Sequence, residues 1–197
     1  MQFEQASLYI QEELKSKLSP ILFYHNYAHT MYVLKSAIEI AEAENIFDNE
    51  NLTLLKTAAL YHDTGFLNTS EGETEQEACK IAAEALLKFD YSKEQIEIIC
   101  SMIMKTKMPQ QPETHLEKIL CDADLNYLGT ESFVSIGNNL LKELNAHGKD
   151  IGEKEWDELQ IDFLSSHHYW TDSAIAKREN KKLENLNRLK QLVLQNK

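Results

Sequence analysis

The chain predicts an all-α fold of seven to nine helices in a single domain, and three observations carry that reading. Apolar residues recur every three or four positions along most of the chain. No stretch alternates Val, Ile and Thr as a half-buried strand requires. Only three prolines and six glycines interrupt 197 residues, so long helices are permitted. This length is enough for one full hydrophobic core, and residues 1–197 are expected to form one domain.

The elements follow in order. Phe3, Ala6, Leu8, Ile10, Leu14 and Leu18 mark a first helix that stops at Ser19-Pro20. A second runs from Phe23 to Glu44, with Tyr27, Met31, Leu34, Ile38 and Ala41 on its apolar stripe. Asn51 to Tyr61 makes a third, ending at His62-Asp63-Thr64-Gly65, where Gly65 offers a left-handed terminating turn. Thr74 and Glu77 match a capping box for a helix through Phe89. Ser92 caps another over Lys93–Ile103, and Glu113–Cys121 leads into Asp122-Ala123-Asp124. Helices at about 130–146 and 153–166 flank a loop with Gly148 and Gly152, and Asp172 or Ser173 caps the last helix.

Composition narrows the function. Hydrophobic residues make up 43% and charged residues 26%, an ordinary globular mixture. The net charge of -12 argues against a duplex nucleic-acid surface, which needs clustered Lys and Arg. It leaves room for a small phosphorylated ligand that a bound cation neutralises locally. Residues 172–197 carry a local balance of +4, which reads as the solvated face of a terminal helix. Cys79, Cys100 and Cys121 are odd in number and sit within or beside apolar helical patterns, which favours buried thiols in a reducing compartment over a disulfide framework. No signal peptide is apparent and no apolar run approaches the ~20 residues of a spanning helix, so a cytoplasmic protein is expected.

One constellation carries chemistry. His25 and His29 are four apart, which on one helix places both imidazoles on a shared face. His62-Asp63 follows an apolar run, and Asp122 interrupts apolar surroundings where a buried carboxylate needs a positive partner. A cation is one such partner; a His or Lys is the other. Alone, each element more often serves ordinary hydrogen bonding, and the combination is what points to a divalent-metal site.

The segments Tyr24-His25-Asn26-Tyr27-Ala28-His29-Thr30, Leu60-Tyr61-His62-Asp63-Thr64-Gly65-Phe66 and Leu120-Cys121-Asp122-Ala123-Asp124-Leu125 resemble, in that order, the motifs of a small soluble branch of the HD-domain metal-dependent phosphohydrolases. The resemblance covers roughly residues 20 to 130, with the helices of 130–197 completing the domain. It implies that His29, His62, Asp63 and Asp122 ligate one divalent metal ion (Mn, Mg, Co, Ni, Fe or Zn). It further implies that His25 contacts phosphate or donates a proton, and that the substrate is a small phosphoester, a nucleotide or related phosphomonoester. Asp63 doubles as a proton acceptor in this reading. Lys105 and Lys107, around Thr106, add ammonium groups suited to an anionic substrate, with a solvated charge pair as the alternative. Asp124 either orients an imidazole or ends a helix, and Glu75 either activates water or decorates a first turn.

Departures from the family pattern matter as well. Thr74 stands where many relatives carry a histidine able to reach a second metal, so one metal is expected. That also weighs against a di-iron oxygenase on the same scaffold. Phe66 and Leu67 replace the acidic doublet of guanosine tetraphosphate hydrolases. A noncatalytic metal-containing binding or interaction domain stays open as the alternative to an enzyme. His167-His168-Tyr169-Trp170 reads as a buried helix junction in preference to a pocket wall. Oligomeric state is not legible in the sequence.

Overall fold

Nine α-helices are present among the described residues, 1–69 and 72–195, of the computed structural model. They are α1 (Phe3–Lys17), α2 (Tyr27–Ala43), α3 (Asn49–Tyr61), α4 (Thr74–Leu86), α5 (Lys93–Lys105), α6 (His115–Asp124), α7 (Phe133–Ala146), α8 (Glu153–Ser166) and α9 (Asp172–Gln195). Short 3-10 turns at Thr64–Leu67, Leu87–Phe89 and Asn126–Gly129 join them. The all-α expectation holds, and no described helix is long and apolar enough to cross a membrane.

Helix α2 starts at Tyr27, four residues later than its apolar stripe suggests. The cause is local. The Asn26 side chain accepts hydrogen bonds from the Ala28 and His29 amides and fixes the N-cap there. His25 therefore precedes the helix and does not stack over His29 on a helical face. Helix α5 has the expected capping box, with Ser92 and Gln95 bonding reciprocally. Helix α4 lacks one: Glu73 is its N-cap, no side chain caps it, and the Thr74 hydroxyl turns to Glu75. Nor does Gly65 supply a left-handed turn, since its φ is not positive. It is needed for close approach: a Cβ there would lie 1.9 Å from the Thr74 carbonyl oxygen. This glycine lets the 3-10 turn after His62-Asp63 press against the start of α4.

Two apolar clusters organise the molecule. The larger, from α1 to α6, includes Ile10, Leu14, Val33, Ala37, Leu55, Ala58, Ile99, Met102 and Leu120, all essentially buried. Small residues on α2 and α3 let those helices pack against α6, and those on α4 let it pack against α5. The second cluster gathers Phe133, Leu164, Leu186 and Leu189 from the C-terminal helices around Tyr24, just before α2, and Tyr127 and Leu128 of the 3-10 turn after α6. All three cysteines are free thiols, but only Cys121 is buried; Cys79 and Cys100 are half-buried.

His167 ends α8 and belongs to the junction with α9. Its ring packs edge-on against Tyr169 at 4.7 Å, and its carbonyl accepts from the buried Lys182 ammonium at 2.6 Å. Both ring nitrogens are buried without a hydrogen-bond partner. Burial, then the charges of Lys182 and His168, push its pKa down to about 3. A histidine depressed in the folded state leaves stability intact above the unfolded value of roughly 6.5 and erodes it as pH falls below that, because only the unfolded chain takes the proton. His167→Phe is therefore expected to lose less thermal stability than wild type between pH 7 and pH 5. Parallel melting curves in which both proteins lose the same amount would contradict this.

Candidate metal centre

The chain's first chemical motif is assembled by local capping. Asn26 holds the start of α2, and its amide nitrogen donates to the Phe23 carbonyl at 2.7 Å, which closes the turn carrying Tyr24 and His25. His29, in the first turn of α2, is thereby aimed inward; it is 9% exposed. His62 is the C-cap of α3, and its Nδ1 donates to the Ala59 carbonyl at 2.9 Å. That bond satisfies an orphan carbonyl at the helix end and leaves the Nε2 lone pair free for a ligand. Asp63 leaves the helical path at once, and Asp124 is the last residue of α6.

These four side chains converge. Asp63 Oδ2 lies 3.3 Å from His29 Nε2 and 3.1 Å from His62 Nε2. Asp124 Oδ1 lies 3.2 Å from His29 Nε2 and 3.7 Å from His62 Nε2. His29, His62 and Asp124 together form a group whose ligand atoms all lie within 4.8 Å of one another. Although these contacts are close, His29 Nε2, His62 Nε2 and Asp63 Oδ2 are buried with no hydrogen-bond partner. Three orphaned lone-pair atoms facing one small volume are costly unless a cation joins them. Two imidazoles with carboxylates suit a first-row divalent ion, so the residues fit a metal.

The electrostatics agree. Burial opposes protonation of His29, yet the Asp124 and Asp63 carboxylates outweigh it and raise its pKa to about 10. His62 is also raised, burial again being overcome by Asp63. Asp63 is held well below the usual carboxylate range, because the His62 and His29 imidazoles outweigh its burial. The cluster demands positive charge, which protons supply when no cation does.

Asp122 is not part of it. Two residues before Asp124 on the same helix, it faces roughly the opposite side. Its Oδ1 accepts from the Trp170 amide at 2.8 Å, and its Oδ2 from the Thr171 amide and hydroxyl at 2.8 and 2.7 Å. Asp122 is thus an anchor for the start of α9, and Asp124 takes the position in the cluster that the sequence reading gave to Asp122. The Thr171 hydroxyl in turn accepts from the Ala174 amide at 3.3 Å, so Thr171 caps α9, one residue before the expected Asp172.

A pocket of about 390 Å³ opens beside the cluster. Its lining combines the polar side chains of His25, Asp63, Thr74, Glu75 and Asp124 with the apolar ones of Phe133, Leu140, Trp156, Leu159 and Phe163. His25 stacks on Phe66 with ring centres 4.2 Å apart, and its Nδ1 is paired with Glu143 of α7. Glu143 was missed by the sequence reading, because nothing in the α7 pattern distinguishes it from a solvated acid. The two lysines do not reach the wall: Lys105 pairs with Glu113 at 2.6 Å, Lys107 is exposed, and the loop presents Thr106 and Met108 instead. His115 lies 3.4 Å from Glu44, outside the cluster. His167, His168 and Trp170 are likewise absent from the lining among the described residues.

The HD domain matches residues 26–125, just over half of the chain, and spans the whole cluster. The chain belongs to the HD-domain family. Three solved structures share its fold. Bacillus subtilis YpgQ in complex with ADP is 20% identical with a TM-score of 0.66, covering 97% of this chain and 96% of its own. Another structure of YpgQ is 19% identical, with a TM-score of 0.67 over 98% and 96%. The Lin1889 protein of Listeria innocua is 20% identical, with a TM-score of 0.65 over 96% of each chain. No curated protein matches. At these identities the neighbours establish the fold of this chain, and its own residues must argue the chemistry.

Proposed function

We propose that this HD-domain protein hydrolyses a small phosphoester in a reaction that depends on one divalent metal ion. The observation that carries the reading is the set of orphaned atoms, His29 Nε2, His62 Nε2 and Asp63 Oδ2, beside an open pocket. His29, His62, Asp63 and Asp124 would hold the ion. When bound, such a cation polarises a phosphoryl oxygen and makes water a nucleophile near neutral pH. Asp63 and Glu75, two of the carboxylates that line the pocket, accept the proton of the attacking water. His25, on the same wall, acts as the imidazolium: its Nε2–H contacts the phosphoryl group or protonates the departing oxygen, leaving the neutral ring with its remaining proton on Nδ1. With both lysines away from the wall, the substrate's charge falls to His25 and the cation.

The apolar part of the pocket's lining refines the substrate. Phe133, Trp156, Leu159 and Phe163 suit a planar or apolar moiety, so the substrate joins a phosphoryl group to such a body, as a nucleotide does. The ADP bound by YpgQ is consistent with that class. Nucleoside mono-, di- and triphosphates, aryl phosphates and glycerol phosphate, assayed with Mn, Mg, Co and Ni, test it. Turnover that chelation abolishes, favouring nucleotides or aryl esters over glycerol phosphate, is the expected result. Stoichiometric metal with no phosphoester turned over would support the noncatalytic alternative. Leu159 lines the pocket yet is 45% exposed, so it can be changed without opening the core. Leu159→Ser is expected to raise KM roughly five- to tenfold with kcat little changed, from about 1–1.5 kcal/mol of lost apolar contact.

A further inference from the structure

Glu143 is a buried acid outside the matched span of 26–125, on α7, 118 positions away from the histidine it meets. It is 3% exposed, and each of its carboxylate oxygens is spoken for. Oε2 accepts from the Tyr24 amide at 2.7 Å and from the His25 amide at 3.0 Å. Oε1 is paired with His25 Nδ1. Burial works against its charge, but the His25 ring and the two amides outweigh it and hold the carboxyl below the usual range. Phe66 stacks on the imidazole face at 4.2 Å with the planes 20° apart. The ring is thus held at its edge by an anion and at its face by an aromatic side chain.

From this we infer that Glu143 is a positioning residue that fixes the tautomer and direction of His25, with Nδ1–H donated to Glu143 and Nε2 presented to the pocket. The chemistry is that of an acid orienting a working imidazole through the nitrogen that does no work. A carboxylate can only accept, so a neutral ring beside it must carry its proton on Nδ1. The backbone bonds give Glu143 a second task, closing the Tyr24–His25 turn, and the test must separate the two.

Glu143→Gln does so. The two amides need an acceptor at the Oε2 position, so the glutamine oxygen must lie there and its NH₂ must face His25. The turn is kept, while the ring now meets a donor and must move its proton to Nε2. The tautomer is read in Mg-loaded protein labelled with ¹⁵N-histidine, at a pH where the ring is neutral, with His25→Asn identifying the signals. The wild type is expected to show the Nδ1–H form and Glu143→Gln the Nε2–H form, with circular dichroism unchanged. The kinetic consequence rests on the hydrolase reading: kcat falls about 10–100-fold while KM changes little. An Nε2–H tautomer in the wild type would overturn the inference whatever the variant does. So would a Glu143→Gln protein whose tautomer and kcat match the wild type, since that is what a purely structural acid gives. Absence of turnover in the wild type would count against the hydrolase reading alone, and the spectra would still decide the role of Glu143.

Discussion

His62→Ala is expected to abolish metal retention and to cut phosphoester turnover by roughly 10³-fold or more, with the helical circular-dichroism signal largely intact. His62 is 2% exposed and has one ring nitrogen bonded to the Ala59 carbonyl, so the other faces the cluster without freedom to turn away. The ring also stands 5.4 Å from that of His29, between the end of α3 and the start of α2. Its loss removes a ligand and leaves Asp63 and Asp124 facing each other across less positive charge. The fold should persist, because Leu54, Leu55, Ala58 and Ala59 of α3 stay packed in a core that needs no metal. Metal analysis and circular dichroism on one sample test this. Full occupancy in the variant would exclude His62 as an essential ligand, and collapse of the helical signal would make the site structural.

The second large effect separates two aspartates that neighbour one another in sequence. Asp124→Asn keeps the side-chain shape and removes its charge from the cluster. Metal affinity is expected to fall on the order of 10²–10³-fold, the scale of about 3–5 kcal/mol for a buried charge left uncompensated. Asp122→Ala should do the reverse. It leaves the Trp170 and Thr171 amides and the Thr171 hydroxyl without their acceptor, while the Glu44 carboxylate, bonded to the Ser173 amide at 2.8 Å, still braces the start of α9. A loss of about 2–4 kcal/mol follows from buried donors left unpaired, or a Tm lower by about 5–15 °C, with metal stoichiometry unchanged. Calorimetric titration and melting of both variants check the pair. Metal lost from Asp122→Ala and kept by Asp124→Asn would reverse the assignment.

That pair also marks what the sequence could and could not disclose. Helical periodicity found all the main elements but not every buried face: Leu8 and Ile38, placed on the stripes of α1 and α2, are exposed, and α2 buries Val33, Ala37 and Ile40 instead. His62 and Asp63 stood out because a His-Asp pair after an apolar run is expensive without a purpose, and His29 joined them through the resemblance of its motif to that of the HD domain. Asp122 and Asp124 were not separable by burial pattern, as Leu120, Cys121, Asp122 and Ala123 are all buried on α6. Which carboxylate faces which neighbour depends on where α9 docks, and that is a tertiary fact. The start of α2 was misjudged for a simpler reason: the apolar stripe continues back to Phe23, but the Asn26 cap overrides it. Glu143 lay beyond reach, because its meaning comes entirely from a partner 118 positions earlier.

The central claim is that His29, His62, Asp63 and Asp124 hold one divalent cation at the mouth of the pocket. Anomalous diffraction from crystals grown with Mn tests it most directly. The account predicts one strong peak bounded by those four side chains, with Asp122 still bonded to Trp170 and Thr171. A peak at Asp122, or Mn-saturated crystals with no peak among the four, would contradict it.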